Sequence, residues 1–165
     1  MINVCCVCYG EKYKPQYPRI LYNMVKKHLS IPYKFICFSD SVYLKKQLPE
    51  DAEVRPFPEH NLQGWWNKLQ LFHPKTNLSG VNFYLDLDVV ILDSIDKFIT
   101  YSKEDEFSPI RDFGQPQRWF NSSVFKWNNN YASGIIWENF IKEKAEWMKL
   151  QGDQNVITDL MTKYY

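Results

Sequence analysis

Short apolar runs alternating with amphipathic segments predict an α/β domain, with a mostly parallel central sheet and helices on both faces. Three observations carry this. The runs Ile2–Tyr9, Tyr33–Phe38 and Val81–Leu92 are too short to cross a membrane and are predominantly apolar, as buried strands are. The segments between them repeat apolar residues at helical spacing. At 165 residues, 45% hydrophobic and 24% charged, the chain suits a single domain, residues 1–165, with a real core.

The elements follow in order. Ile2–Tyr9 reads as a first, buried strand, and Gly10 and Pro15 punctuate the loop after it. Tyr17, Ile20, Leu21, Met24 and Val25 recur at helical spacing up to His28, with Pro18 suited to a first turn. Tyr33–Phe38 is a second strand, ended by Ser39-Asp40. Val42–Leu48 reads as a short helix stopped before Pro49, and Glu53–Phe57 as an extended piece between prolines. Gly64–Phe72 is expected to be a helix carrying Trp65, Trp66, Leu69 and Phe72 on its apolar side, stopped by Pro74. The strand Val81–Leu87 follows, then a short helix Ser94–Tyr101, an extended Phe107–Ile110 and a loop from Arg111 to Phe120 with Gly114 and Pro116. Ser122–Trp127 alternates as a strand does. Tyr131–Met148 is the longest expected helix, and Gly152-Asp153-Gln154 opens a last one that runs to the C-terminus.

Bulk composition excludes several classes. Twenty basic residues balance nineteen acidic ones, and no basic block marks a nucleic-acid footprint. No apolar run is long enough for a transmembrane helix, and Met1-Ile2-Asn3-Val4 lacks the pattern of a signal peptide. Cys5, Cys6, Cys8 and Cys37 have no CxxC or zinc spacing and read as reduced, buried thiols of a cytoplasmic protein. His28, His60 and His73 share no ligand spacing.

The chemistry centres on Phe83-Tyr84-Leu85-Asp86-Leu87-Asp88. Unpartnered acids are costly in an apolar run. On a strand, a spacing of two puts Asp86 and Asp88 on one face, with Leu85 and Leu87 on the other. Two close carboxylates repel unless a cation lies between them or one takes a proton. A divalent metal explains the pair economically, and oxygen-only ligation selects Mg²⁺ or Mn²⁺. The plainer alternative is that both acids cap backbone amides at a strand end. Neither GxGxxG nor a Walker A loop is present. A metal-bound diphosphate leaving group remains. In open α/β sheets ligands gather at the carboxyl ends of strands, where the loop after Tyr9, Asp40, Asp86 and Asp88 are all expected.

The helix Gly64-Trp65-Trp66-Asn67-Lys68-Leu69, the DxD strand, Phe120-Asn121-Ser122-Ser123-Val124 and Gly152-Asp153-Gln154, in that order, resemble nucleotide-sugar glycosyltransferases of the GT-A, Rossmann-like fold. The nearest flavour is family 8, and the likeness covers most of the chain. It implies a UDP-sugar or similar donor, a carbohydrate or other hydroxyl acceptor, and a Mn²⁺ or Mg²⁺ cofactor held by Asp86 and Asp88. By the same resemblance, Val7, Cys8, Tyr9 and Tyr13 hold the nucleoside, and Asp40 lies near the base. Lys68 approaches the donor, Asp86 also lies near its ribose, and Asn121 and Ser122 line the sugar. Asp153 and Gln154 stand at the donor sugar and the acceptor as the catalytic pair. The third metal ligand usual in that family, a His beyond the Asp-Gln, has no counterpart here.

Each assignment has a structural rival. Lys68 reads equally as a solvated lysine, Asn121 as a turn residue and Asp153 as an N-cap. At the level of the whole protein there are two. Haloacid-dehalogenase-type phosphatases also end an apolar strand in DxD, which would make Asp86 a nucleophile. That strand normally opens their domain, whereas about half of this chain precedes it. The other rival is a glycosyltransferase-like module that binds nucleotide sugars without turning them over.

Overall fold

The computed structural model describes residues 1–101, 107–115 and 120–164. β1 (Ile2–Cys8) is the hub of the sheet. It lies between β2 (Tyr33–Ser39) and β4 (Val81–Leu85), parallel to both. β3 (Glu53–Arg55) extends the sheet beyond β2, again in parallel. On the far side β6 (Phe120–Asn128) runs antiparallel to β4, and β5 (Ser108–Arg111) antiparallel to β6. The described strands form one six-stranded sheet, ordered β3-β2-β1-β4-β6-β5. The β5–β6 register slips between Pro109 and Ile110, where a residue without an N–H interrupts the ladder on an edge strand.

Alternation along the strands builds two cores. Cys5, Val7, Ile36, Phe38, Tyr84, Phe125 and Trp127 face one side. There they meet Leu69 and Phe72, Ile136 and Phe140 of α3 (Asn129–Lys142), and Val156, Ile157 and Leu160 of α5 (Asp153–Tyr164). Val4, Cys6, Cys8, Phe35, Cys37, Phe83 and Leu85 face the other side. Their partners are Leu21 and Val25 of α1 (Gln16–His28), with Ile95 and with Ile99 of α2 (Asp96–Thr100). The expected α/β architecture, with a mostly parallel sheet covered on both faces, is the one observed. All four cysteines are free, buried thiols. Burial pushes the Cys8 thiol up to about 12, which leaves it protonated and unreactive at neutral pH.

Several local expectations need correction. β1 ends at Cys8, one residue early, because Gly10 turns the chain with φ +55° and donates its N–H to both Asp40 carboxylate oxygens. Val42–Leu48 yields only a 3₁₀ turn, Leu44–Lys46. Gly64–Phe72 is a 3₁₀ helix rather than an α-helix. Three residues per turn stack Trp66, Leu69 and Phe72 over the core and carry Trp65 and Lys68 along a different edge. Arg111 and Phe120 belong to strands, and Pro116 of the expected loop lies outside the described residues. The helix expected over 131–148 begins at Asn129, ends at Lys142, and is followed by a short α4 (Lys144–Trp147). Tyr165, the end of the expected last helix, lies outside the described residues.

The largest correction concerns the apolar run itself. β4 stops at Leu85 and the chain turns at once, with the Val89 N–H donating to the Asp86 carbonyl at 3.2 Å. Asp86 and Asp88 therefore do not share a strand face. They sit on a turn just past the carboxyl end of a central strand. Beyond it Val90 and Leu92 are 69% and 86% exposed, so the run is not buried throughout.

Candidate active site

The ends of β1 and β4, the 3₁₀ helix 64–72 and the start of α5 enclose a cleft of about 290 Å³. Val7, Tyr9, Tyr13, Trp65, Asp86 and Asp88 are among its walls, and Lys68, Ser122 and Asp153 form its floor. The topology explains the convergence. β1 and β4 are adjacent and parallel, so the loops leaving them open on the same edge of the sheet.

Lys68 is the centre of the floor. It is 7% exposed, yet charged, because two carboxylates reach it. Its Nζ lies 3.1 Å from Asp86 Oδ1 and 3.1 Å from Asp153 Oδ2. It also lies 3.2 Å from both the carbonyl and the hydroxyl oxygen of Ser122. Burial alone would push this ammonium's pKa down, but Asp153 and Asp86 together outweigh it and raise the pKa above the ordinary lysine value. The Ser122 hydroxyl donates to Asp153 Oδ2 at 2.8 Å. The Tyr84 phenol donates to Asp86 Oδ1, and burial first and Asp86 second drive its pKa up. Asp86 is thus held by Tyr84 and Lys68, with its own backbone N–H donating to the Ser123 carbonyl at 2.8 Å.

Asp88 stands apart from this network. It is exposed, and the Tyr13 phenol donates to its Oδ2 at 2.7 Å. That bond spans the cleft mouth from the β1 loop to the β4 turn. Desolvation, then the hydrogen bond to Asp88, raises the Tyr13 pKa, so the phenol is a firm donor at neutral pH.

The other expected residues divide. Val7 and Tyr9 line the cleft. Cys8 is buried on the opposite face of the sheet, its thiol directed at the Tyr13 carbonyl, because adjacent strand residues point opposite ways. Asp40 lies outside the cleft walls, and its carboxylate is used by the Gly10 N–H. Asn121 accepts from the Ser123 N–H at 2.9 Å, a local turn bond, and does not line the cleft. Gln154 lines it, but both ends of its amide are engaged. Oε1 accepts from the Ser122 N–H at 3.2 Å, and Nε2 donates to Asp112 Oδ2 at 2.9 Å. The Asp153 carboxylate points to Lys68 and Ser122, a use that a simple N-cap does not have.

Sequence reading missed Tyr84, Lys12 and Asp112. For Tyr84 the available signal was its place two residues before Asp86, near the end of the same apolar run. Nothing in the sequence marked Asp112 as the partner of Gln154.

The donor set suits a hard divalent cation held through two carboxylates. Among the described residues Asp86, Asp88 and Asp153 line the cleft beside two ammonium groups, Lys12 and Lys68. A phosphate approaching Asp86 and Asp88 meets like charge, which a cation between them would neutralise. Among the described residues no cluster of three or more His, Cys, Asp or Glu side chains is placed to ligate a metal. Mg²⁺ sites commonly take one or two carboxylates and complete the shell with substrate phosphate and water, so the pair fits that mode.

No protein-family model matches the chain, and no curated protein does. Solved structures do match. The galactosyltransferase LgtC, in complex with donor and acceptor sugar analogues, superposes with a TM-score of 0.64 at 13% identity, over 96% of this chain and 70% of its own. The glycosyltransferase GlyE of Streptococcus pneumoniae TIGR4 gives 0.71 at 14% identity, over 96% of this chain and 42% of its own. The chain thus spans less than half the length of GlyE. At these identities the likeness establishes the fold, a Rossmann-like α/β architecture shared with glycosyltransferases.

Proposed function

We propose that this chain is a metal-dependent glycosyltransferase of GT-A type, moving a sugar from a nucleoside-diphosphate sugar, a UDP-sugar, to a hydroxyl acceptor. One observation carries the proposal. Asp86, Asp88, Lys68, Ser122 and Asp153 meet in one cleft at the carboxyl ends of two parallel strands, in a fold shared with glycosyltransferases. The order of motifs that resembles family 8 supports the same reading.

In this reading Tyr9, Tyr13 and Val7 receive the nucleoside, and Asp86 and Asp88 hold Mn²⁺ or Mg²⁺. The cation, when bound, supplies Lewis-acid neutralisation of the leaving diphosphate. The bond from the anomeric carbon to the diphosphate oxygen breaks as the bond to the acceptor oxygen forms, and the acceptor proton leaves to the diphosphate or to solvent. Asp153, held by Lys68 and Ser122, faces the positive charge that builds on the sugar. Lys68 fixes the positions of Asp86 and Asp153 through its two ion pairs. Gln154 lines the cleft beside Asp153, and its Oε1 positions Ser122 by accepting from the Ser122 N–H.

The phosphatase alternative is not favoured. The strand that leads into the DxD turn is the fourth in the chain, and the named neighbours of this fold are glycosyltransferases. A binding module without turnover is the remaining rival, separated by measuring release of UDP from a UDP-sugar.

The binding test uses UDP with and without Mn²⁺ on wild type and Asp88→Ala. Asp88 is exposed, so its removal leaves the core intact. Wild type at saturating UDP and Mn²⁺, roughly 100 times Kd, gains about 2.7 kcal/mol. Asp88→Ala is expected to lose tenfold or more in Mn²⁺-dependent affinity with its ligand-free melting unchanged. Metal-independent UDP binding, or equal affinity in the variant, refutes the assignment.

A further inference from the structure

We infer that Trp65 is the platform of an acceptor subsite and that the acceptor presents a pyranose ring there; this rests on the glycosyltransferase reading of the same cleft. The two neighbouring tryptophans have opposite fates. Trp66 is 8% exposed and stacks on Phe140, with ring centroids 6.1 Å apart. Trp65 is 50% exposed and lines the cleft. Trp65 belongs to neither core cluster, and its indole offers the cleft an amphipathic aromatic surface.

The surroundings name the ligand. Gly152 lies against the indole edge: a Cβ there would sit 3.7 Å from Trp65 Nε1 and 3.8 Å from Cδ1. A larger side chain would cover the edge that glycine leaves open. Gln151 and Asn155 line the same end of the cleft, and among the described residues neither side chain is hydrogen-bonded. An aromatic surface with free amides at its perimeter matches a pyranose, whose C–H face packs on the ring while its hydroxyls take amide donors and acceptors.

The order of contacts separates this end from the donor end. Asp88 meets Tyr13, Asp86 meets Lys68, Lys68 meets Asp153, and the residue before Asp153 is Gly152, against Trp65. Trp65 lies against Gly152, beside Asp153, and a diphosphate at Asp86 and Asp88 leaves this indole to the hydroxyl that attacks the sugar.

The test follows indole N–H signals of the ¹⁵N-labelled protein with UDP and Mg²⁺ bound. The Trp65 signal is assigned by its loss in Trp65→Phe. Methyl α- and β-pyranosides of glucose and galactose are the probes, and sorbitol, which has hydroxyls but no ring face, is the control. The Trp65 signal is expected to move with at least one pyranoside and not with sorbitol. Trp65→Ala and Gly152→Leu should each weaken that binding at least tenfold, with UDP–Mg²⁺ affinity held within about twofold. If no pyranoside moves the signal, or if only a UDP-sugar does, the acceptor assignment is overturned. Failure of UDP–Mg²⁺ to bind wild type would instead overturn the parent reading, so the two failures are distinct.

Discussion

Replacing Lys68 by Met tests the floor of the cleft most directly. Methionine keeps an unbranched stem of similar reach and deletes the charge. In the native protein the ammonium stands 3.1 Å from each of Asp86 and Asp153, and the Asp153 side chain is 9% exposed. Deleting one partner of a buried ion pair costs about 3–5 kcal/mol, because the remaining charge is left without compensation. For a domain of this size each kcal/mol corresponds to roughly 2–4 °C, so the melting temperature should fall by roughly 6–20 °C at pH 7. The pH dependence has a definite sign. The folded-state pKa of Lys68 is raised, so its contribution is complete at neutral pH and is lost only as pH rises above the ordinary lysine range. The assay is urea unfolding at pH 7 of wild type, Lys68→Met, Asp153→Asn and the double variant. A coupling energy of at least about 1 kcal/mol is expected, since Asp153→Asn removes one of the carboxylates stranded by Lys68→Met. Lys68→Met within about 0.5 kcal/mol of wild type, or zero coupling, would refute the claim that this ion pair organises the site.

Two further predictions concern the sheet. Arg55 and Lys34, at 2.7 and 2.9 Å, pull the Glu53 pKa down to about 2. A depressed carboxyl stabilises above its unfolded value of 4.5 and loses that contribution as pH falls towards 2. Glu53 is 35% exposed, so Glu53→Gln should cost less than about 1 kcal/mol at pH 7. It should also flatten the decline of the urea midpoint between pH 4.5 and 2, and parallel declines in the two proteins would refute this. Phe72, fully buried, stacks on Phe125 at 5.8 Å and tilts against Trp127 at 5.5 Å. Phe72→Ala should cost about 3–5 kcal/mol in chemical denaturation, and a loss below 1 kcal/mol would mean that the 3₁₀ helix is not anchored through it.

The amino-acid sequence by itself determined the architecture. Ile2–Cys8, Tyr33–Ser39 and Val81–Leu85 form adjacent strands because runs apolar on both sides can be buried only in a sheet covered on both faces. It also placed Asp86 and Asp88 at a strand end, since ionised groups do not remain unpaired inside a core. Only the tertiary structure decided the rest. Whether Lys68 is solvated or buried depends on Asp153, 85 positions away in the chain, and no local pattern encodes that pairing. Trp65 and Trp66 are identical side chains on adjacent residues, and a 3₁₀ rather than an α periodicity sends one to the cleft and the other to the core. Asn121, Asp40 and Cys8 stood near the right strand ends, but their side chains were claimed by a neighbouring N–H or by the opposite core. Local periodicity tells which groups must leave water. Which partner receives each of them is settled by long-range packing, because a buried charge or donor is satisfied by whatever the fold brings within 3 Å or so of it.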